Sequence, residues 1–242
     1  MGDATDAHAA TAPPRWPLPE LLKPAIAVGR GCVLAHDGAE LSDLLVIDEG
    51  VVGRFLASGG AGVGVGGAGV RRGGSAGVGG VLRGVHPTGW VIGAGAALTG
   101  GRIDATICTL TDCRVRPLPR ETFAAAARVP VASAWLSLML AADARDQSRW
   151  LVATEAGAMA LTEALFVSLF AAAARAQPDG TLRLTFPLSV TQVAAFVGVS
   201  RQYMSRILAA LSDTGTVAHR DDRFWLPPRS RLRPRVLAGR PP

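Results

Sequence analysis

Leu188–Leu211, LSVTQVAAFVGVSRQYMSRILAAL, encodes two short helices around a tight turn. Ser189 stands three residues before Gln192, the spacing of a capping box, in which each side chain bonds the other's backbone amide. Val193, Ala194, Phe196 and Val197 give the first helix an apolar side. Gly198 falls where the chain must turn sharply, because a residue without Cβ enters the left-handed region freely. Ser200 can cap a second helix whose Met204, Ile207, Leu208 and Leu211 recur at i, i+3, i+4 and i+7. The opposite face of that helix carries Arg201, Gln202, Ser205 and Arg206. A small residue (Ala194) where the helices cross, a turn glycine and a polar outer face are what a helix-turn-helix DNA reader needs.

An ordinary helical hairpin with a solvated arginine face shares part of this pattern, but two further features favour DNA. Thr216–His219 and Arg223–Leu226 read as short strands about Arg220-Asp221-Asp222, a hairpin forming a wing beside the second helix. The charge is also asymmetric. Residues 181–242 hold ten arginines and three aspartates, whereas residues 1–180 are near neutral, so the net +6 comes from the C-terminal part. That is the footprint of a phosphate-binding surface.

On such a helix Arg201 and Arg206 are the candidates for base contact, since a guanidinium fork can bond guanine O6 and N7 together. Gln202 can pair with adenine N6 and N7. Ser200 at the helix start, Tyr203, and the hydroxyls of Ser189 and Thr191 are better placed for phosphates, and Ser205 shares the outer face. Partial burial against the wing is the other reading for Tyr203, as is an ion pair on the helix for Arg206. The end of the chain, with Arg229, Arg231, Arg233 and Arg235, reads either as a salt-sensitive phosphate-binding arm or as a solvated tail.

At 242 residues the chain can hold two domains with real cores. No uninterrupted apolar run approaches the roughly 20 residues of a membrane span, and the acidic start MGDATDAHAATAPP lacks an export signal. A cytoplasmic protein with no membrane partner and an unstructured segment 1–24 is expected. Cys32, Cys108 and Cys113 are odd in number and lack zinc-finger spacing, and His8, His36, His86 and His219 form no ligand cluster. Buried thiols, no metal, no cofactor and no catalytic constellation are therefore expected.

From about Ala25 to Leu118 the sequence favours short strands. Leu44–Ile47, Asp48-Glu49-Gly50 and Val51-Val52 read as strand, turn and strand, and Ile103–Leu110 with Cys113–Leu118 as a further pair. Gly59–Gly80 is a low-complexity glycine-rich insert. Its Gly62, Gly64 and Gly67 match G-x-G-x-x-G, but no helix-forming sequence follows, so a dinucleotide fold is rejected. Helices are expected over Thr122–Ala127, Val131–Ala153 and about Ala156–Ala176, the last ending before the turn Pro178-Asp179-Gly180.

That order resembles the cyclic-AMP-receptor/FNR family of bacterial transcription regulators over roughly Ile26–Leu226, most specifically where V-G-V-S-R-Q-x-x-x-R (Val197–Arg206) is similar to the family's G-x-S-R-E-x-x-x-R reading helix. The resemblance implies an α+β protein. A cyclic-nucleotide-binding-like antiparallel β-roll (residues 25–129, jelly-roll-like, with the insert 59–80) would be joined by a dimerisation helix (130–154) to a winged helix-turn-helix (155–228) and a basic tail (229–242). It places Arg201, Gln202 and Arg206 at the base-reading positions, with glutamine where the family has glutamate. It further implies a homodimer on a palindromic operator, and an RNA polymerase contact through the loop Gln177-Pro178-Asp179-Gly180.

The family's effector site matches poorly. Gly89-Trp90-Val91-Ile92-Gly93 stands where relatives that bind cyclic AMP have G-E-x-x-G, so tryptophan replaces the ribose-holding glutamate. Arg102 lies near the phosphate-binding arginine but is followed by Ile103-Asp104, and a carboxylate there repels a cyclic phosphate. Ser148 falls near the adenine-reaching position. Arg102 and Ser148 are thus the effector-site candidates; the domain either binds a small molecule other than cyclic AMP or only builds the dimer, and no cysteine set is present for an iron–sulfur cluster. Two other classes compete. One is a ligand-sensing β-roll whose basic C-terminal domain binds an acidic protein partner. The other is a cupin-like enzyme, which the isolated His36 and His86 disfavour.

Overall fold

The computed structural model describes residues 15–57 and 80–232. Most of the glycine-rich insert and the last ten residues lie outside them, as do residues 1–14.

Eight short strands build the N-terminal roll. They are β1 (Ile26–Val28), β2 (Val33–Ala35), β3 (Asp43–Glu49), β4 (Val51–Leu56), β5 (Val81–Pro87), β6 (Val91–Ile92), β7 (Thr106–Thr109) and β8 (Cys113–Pro119), with the short helix α1 (Ala94–Thr99) between β6 and β7. They form two four-stranded antiparallel sheets, ordered β1-β8-β3-β6 and β2-β7-β4-β5. The strands expected to pair with their sequence neighbours do not. Across the turn at Gly50, β3 bonds to β8 and β6, whereas β4 bonds to β5 and β7; β7 and β8 likewise part company. Alternating apolar residues fix which strand face is buried but not which strand lies alongside.

Alternation along β4 and β7 splits the apolar residues between two cores. Val52 and Ile107 pack between the sheets with Leu44, Val46, Ile47 and Val115. Val51, Phe55, Cys108 and Leu110 point the other way, into a core shared with the C-terminal half. Cys108 and Cys113 are both buried, in separate cores and on different sheets, and burial pushes the Cys108 thiol up to about 11.

The segment expected to be unstructured over 1–24 is in part a core element. Trp16 is 4% exposed, with its ring edge-on to Trp135 at 5.2 Å and tilted against Phe123 at 6.1 Å. Its Nε1 donates to the Leu18 carbonyl at 2.9 Å. A lone tryptophan among prolines has no periodicity to announce this burial.

Helix α2 (Arg120–Ala126) leads into α3 (Pro130–Ala156), a 27-residue helix that begins on Pro130, where a missing N–H costs nothing. Gly157, at φ 96°, breaks α3 from α4 (Ala158–Ala173). The expected extension of α4 to Ala176 is corrected: Ala174–Ala176 is strand β9, paired with β10 (Leu182–Leu184) across the turn at Gln177–Gly180. Helices α5 (Val190–Val197) and α6 (Arg201–Asp213) follow, then β11 (Ala218–Arg220) and β12 (Arg223–Leu226). These last four strands make a third sheet, ordered β11-β12-β10-β9.

Candidate nucleic-acid interface

The two caps read from the sequence are formed. Ser189 Oγ accepts from the Gln192 amide at 3.2 Å while the Ser189 amide donates to Gln192 Oε1 at 2.9 Å. Gly198 ends α5 at φ 85°, its N–H reaching the Ala194 carbonyl at 2.9 Å. A Cβ there would sit 2.6 Å from Val81 Cγ1, so glycine is required by the backbone angle and by the neighbour. Ser200 then starts α6, its Oγ accepting from the Tyr203 amide at 3.2 Å.

Burial along α6 follows the helical repeat. Met204, Ile207 and Leu211 lie at 4% exposure or less against α5, α4 and the wing, whereas Arg201, Gln202, Tyr203, Ser205 and Arg206 are all exposed. The guanidinium groups of Arg201 and Arg206 make no hydrogen bond or ion pair with any described residue. Two unneutralised cations on one solvent-facing stripe are unsuited to intramolecular structure and suited to an anionic groove. Tyr203, at 48% exposure, is not covered by the wing.

The hydroxyls divide by what they already bond. Ser205 Oγ donates to the Arg201 carbonyl at 3.0 Å, and Ser189 Oγ lies 3.2 Å from Gln192 Oε1, so neither has a free donor for a phosphate. Ser200 uses its oxygen only as an acceptor, leaving its proton available at the positive end of α6. Thr191 is exposed on α5.

Beside α6 the wing turns through Asp221 and Asp222, at φ 50° and 55°. Two consecutive left-handed residues are the two-residue hairpin turn that suits the twist of paired strands. Leu188 N–H bonds the Asp222 carbonyl at 3.1 Å, tying the wing tip to the start of α5. The third sheet carries further arginines on its outer side. Alternation in the third sheet puts Arg175, Arg183, Arg220, Arg223 and Trp225 on the face away from Leu182, Leu184 and Phe224, with Arg183 over the Trp225 ring at 5.5 Å. The first residues of the expected basic tail are anchored: Leu232 is buried, Ser230 Oγ donates to the Thr216 carbonyl at 2.6 Å, and Arg231 pairs with Glu163. Arg233 and Arg235 lie outside the described residues.

Residues 161–235 match the family model for the Crp-like helix-turn-helix domain. This chain carries a Crp-like helix-turn-helix domain. Around it the fold is that of the CRP/FNR regulators. FixK2 from Bradyrhizobium japonicum is similar over 86% of this chain and 94% of its own, at 16% identity and TM-score 0.63. TTHA1359, a CRP/FNR-family transcriptional regulator from Thermus thermophilus, gives 84%, 93%, 16% and 0.61. CLP, a c-di-GMP-responsive global regulator from Xanthomonas campestris, gives 86%, 94%, 16% and 0.60. No curated protein matches by sequence. Among the described residues no single helix is long and apolar enough to cross a membrane.

The two effector-site candidates are not brought together within the chain. Arg102 lines a cavity of about 400 Å³ between the β-roll and α3, its Nη1 donating to the Gly38 carbonyl at 3.1 Å. Ser148 sits on an exposed turn of α3 that borders a different groove, and its hydroxyl donates to the Ala144 carbonyl at 2.9 Å. Arg54, which sequence reasoning missed, enters the cavity from β4 and pairs with Asp104 at 2.6 Å.

Proposed function

We propose that this chain is a homodimeric transcription regulator that inserts α6 into the major groove of a two-fold symmetric operator. The observation that carries the reading is the pair of exposed guanidinium groups of Arg201 and Arg206, unpaired among the described residues, on a capped helix. Arg201, Gln202 and Arg206 read base edges, while Ser200, Thr191 and Tyr203 hold phosphates. Val131, Leu138 and Val152 support the dimer. They are 53%, 62% and 65% exposed and recur at multiples of seven along α3, with the exposed Arg145 at the intervening heptad position. Two copies joined along this seam would present their α6 helices to half-sites about 34 Å apart. The Gln177–Gly180 turn is the proposed RNA polymerase contact, and the cytoplasm the place of action. The effector is a molecule other than cyclic AMP.

Selection of bound fragments from a genomic DNA pool tests this directly. A symmetric motif is expected. Arg201→Ala and Arg206→Ala should each weaken the selected site by ~1–3 kcal/mol and relax one base position per half-site. Binding that ignores sequence throughout a salt series would overturn the reading, and would favour an acidic protein as partner.

A further inference from the structure

We propose that Arg30, which belongs to the β-roll and not to the helix-turn-helix, holds a DNA phosphate together with Arg223 of the wing, so that operator contact runs from α6 across the wing onto the roll. The inference rests on the reading that α6 enters DNA, and adds one group from outside the reading domain to the duplex contact.

Two arginines from distant parts of the chain meet one short segment. Arg30 Nη2 donates to the Pro187 carbonyl at 2.8 Å, and Arg223 Nη1 donates to the Thr185 and Leu184 carbonyls at 2.8 and 3.3 Å. All three carbonyls lie within residues 184–187, the link between β10 and α5. A carbonyl fixes a guanidinium without neutralising it, and neither arginine makes an ion pair with a described residue. Two cations held on four residues repel one another, and an anion beside them relieves that repulsion.

The mounting of Arg30 is rigid. Thr109 Oγ1 donates to the Gly29 carbonyl at 2.8 Å, the Gly31 N–H donates to the Thr109 carbonyl at 2.9 Å, and the Arg30 N–H donates to Asp112 Oδ1 at 2.9 Å. The guanidinium lies over the ring of the buried Phe186, 5.5 Å from its centroid. A planar cation fixed on one face and at one edge has little freedom left to lose when its remaining N–H groups meet an oxyanion. Burial works against its charge, and Asp112 is the neighbouring carboxylate that supports it.

Position selects a duplex as the source of the phosphate. Leu188, the residue after Pro187, donates its N–H to the Asp222 carbonyl at the wing tip, and the exposed Thr191 follows on the first turn of α5. The segment under Arg30 is therefore the join between the wing tip and the start of the helix-turn-helix. Arg201 and Arg206 on α6, Arg220 and Arg223 on the wing and Arg30 on the roll all lack an ion pair among the described residues. An extended polyanion satisfies cations spread over three elements, as a single carboxylate does not.

The full chain is titrated with its selected operator and with a mismatched duplex over a salt series. Arg30→Gln should weaken both duplexes by the same factor and lower the slope of log Kobs against log salt by about 0.9 for each copy bound. Arg30→Lys keeps the charge and should keep the slope. Asp112→Asn keeps an acceptor for the Arg30 amide while removing a negative charge, and should tighten both complexes, a gain that misfolding cannot produce. A wild-type slope in Arg30→Gln would overturn the proposal and leave Arg30 as a structural tie between roll and reading domain. A lysine variant that loses the slope, or an asparagine variant without the gain, would overturn it too. Indifference to sequence in the wild-type chain would instead sink the regulator reading, while the share of Arg30 is still read from the slope on either duplex.

Discussion

The ring of Phe55, on β4 of the roll, meets the ring of Phe196, on the first helix of the helix-turn-helix, edge-on with centroids 5.6 Å apart. Both are buried in a core that runs from the sheet β2-β7-β4-β5 through α4 to the wing. Val81 against Gly198 lies on the same seam, and Arg30 extends it, its Nη2 donating to the Pro187 carbonyl at 2.8 Å with the guanidinium over Phe186. A shared core of this kind is expected to make the two halves unfold together. A double-mutant cycle on Phe55→Leu and Phe196→Leu, read by urea unfolding, should return a coupling of ~0.5–1.5 kcal/mol, the worth of an aromatic pair beyond its area. Additive single losses would show that the rings merely coincide.

Gly198→Ala should destabilise by at least ~1–2 kcal/mol, the cost of a left-handed backbone with a Cβ. Steric conflict with Val81 adds to this. Pairing it with Val81→Ala should restore only the steric share, because the backbone angle is unchanged. Full rescue in thermal unfolding would mean that the angle carries no strain.

Ser200→Ala removes the acceptor of the Tyr203 amide and should cost ~1 kcal/mol of stability. Ser200→Gly should cost only a few tenths. Because Ser200 also has a free hydroxyl proton toward the proposed phosphate, both variants should weaken DNA binding alike. A glycine variant with undiminished affinity would remove Ser200 from the interface.

The exposed seam of α3 makes a prediction about assembly. Leu138→Asp should shift sedimentation equilibrium from dimer to monomer, because it would place like charges opposite one another in the proposed interface. Arg145 occupies the a-type position between Leu138 and Val152, so Arg145→Leu should tighten the dimer. If Leu138→Asp leaves the mass unchanged, α3 is not the interface.

Burial, with Arg54 as the lesser cause, pushes His86 down to about 3 from its ordinary 6.5. Below pH 6.5 the unfolded chain binds a proton that the native state refuses, so stability is present above that pH and falls as the solution acidifies toward 3. Between pH 7 and pH 5 this one group should account for a loss of about 2 kcal/mol. In His86→Phe the same pH change should cost less by that amount, measured by urea midpoints and slopes. Equal pH dependence in both proteins would assign the loss to other groups.

Where signals are local, the chain announced its structure. Ser189 and Gln192, Gly198, Ser200 and the Met204–Leu211 repeat lie within one or two helical turns of the groups they bond or pack beside, so capping rules and the helical repeat were enough to place the reading helix. The aspartates of the wing announced their turn for the same reason.

Tertiary structure decided what distance separates. Period-two alternation marked β3 and β4 as strands, yet their partners come from tens of residues away, and antiparallel pairing carries no sequence code for its mate. Trp16 became core because Trp135 and Phe123 arrived beside it. Arg54 met Asp104, and His86 was left without a hydrogen-bond partner among the described residues, only once two sheets and a long helix had closed around one cavity. Local geometry thus fixed the element proposed to read DNA, while the lining of the cavity beside the roll arose from packing between distant segments.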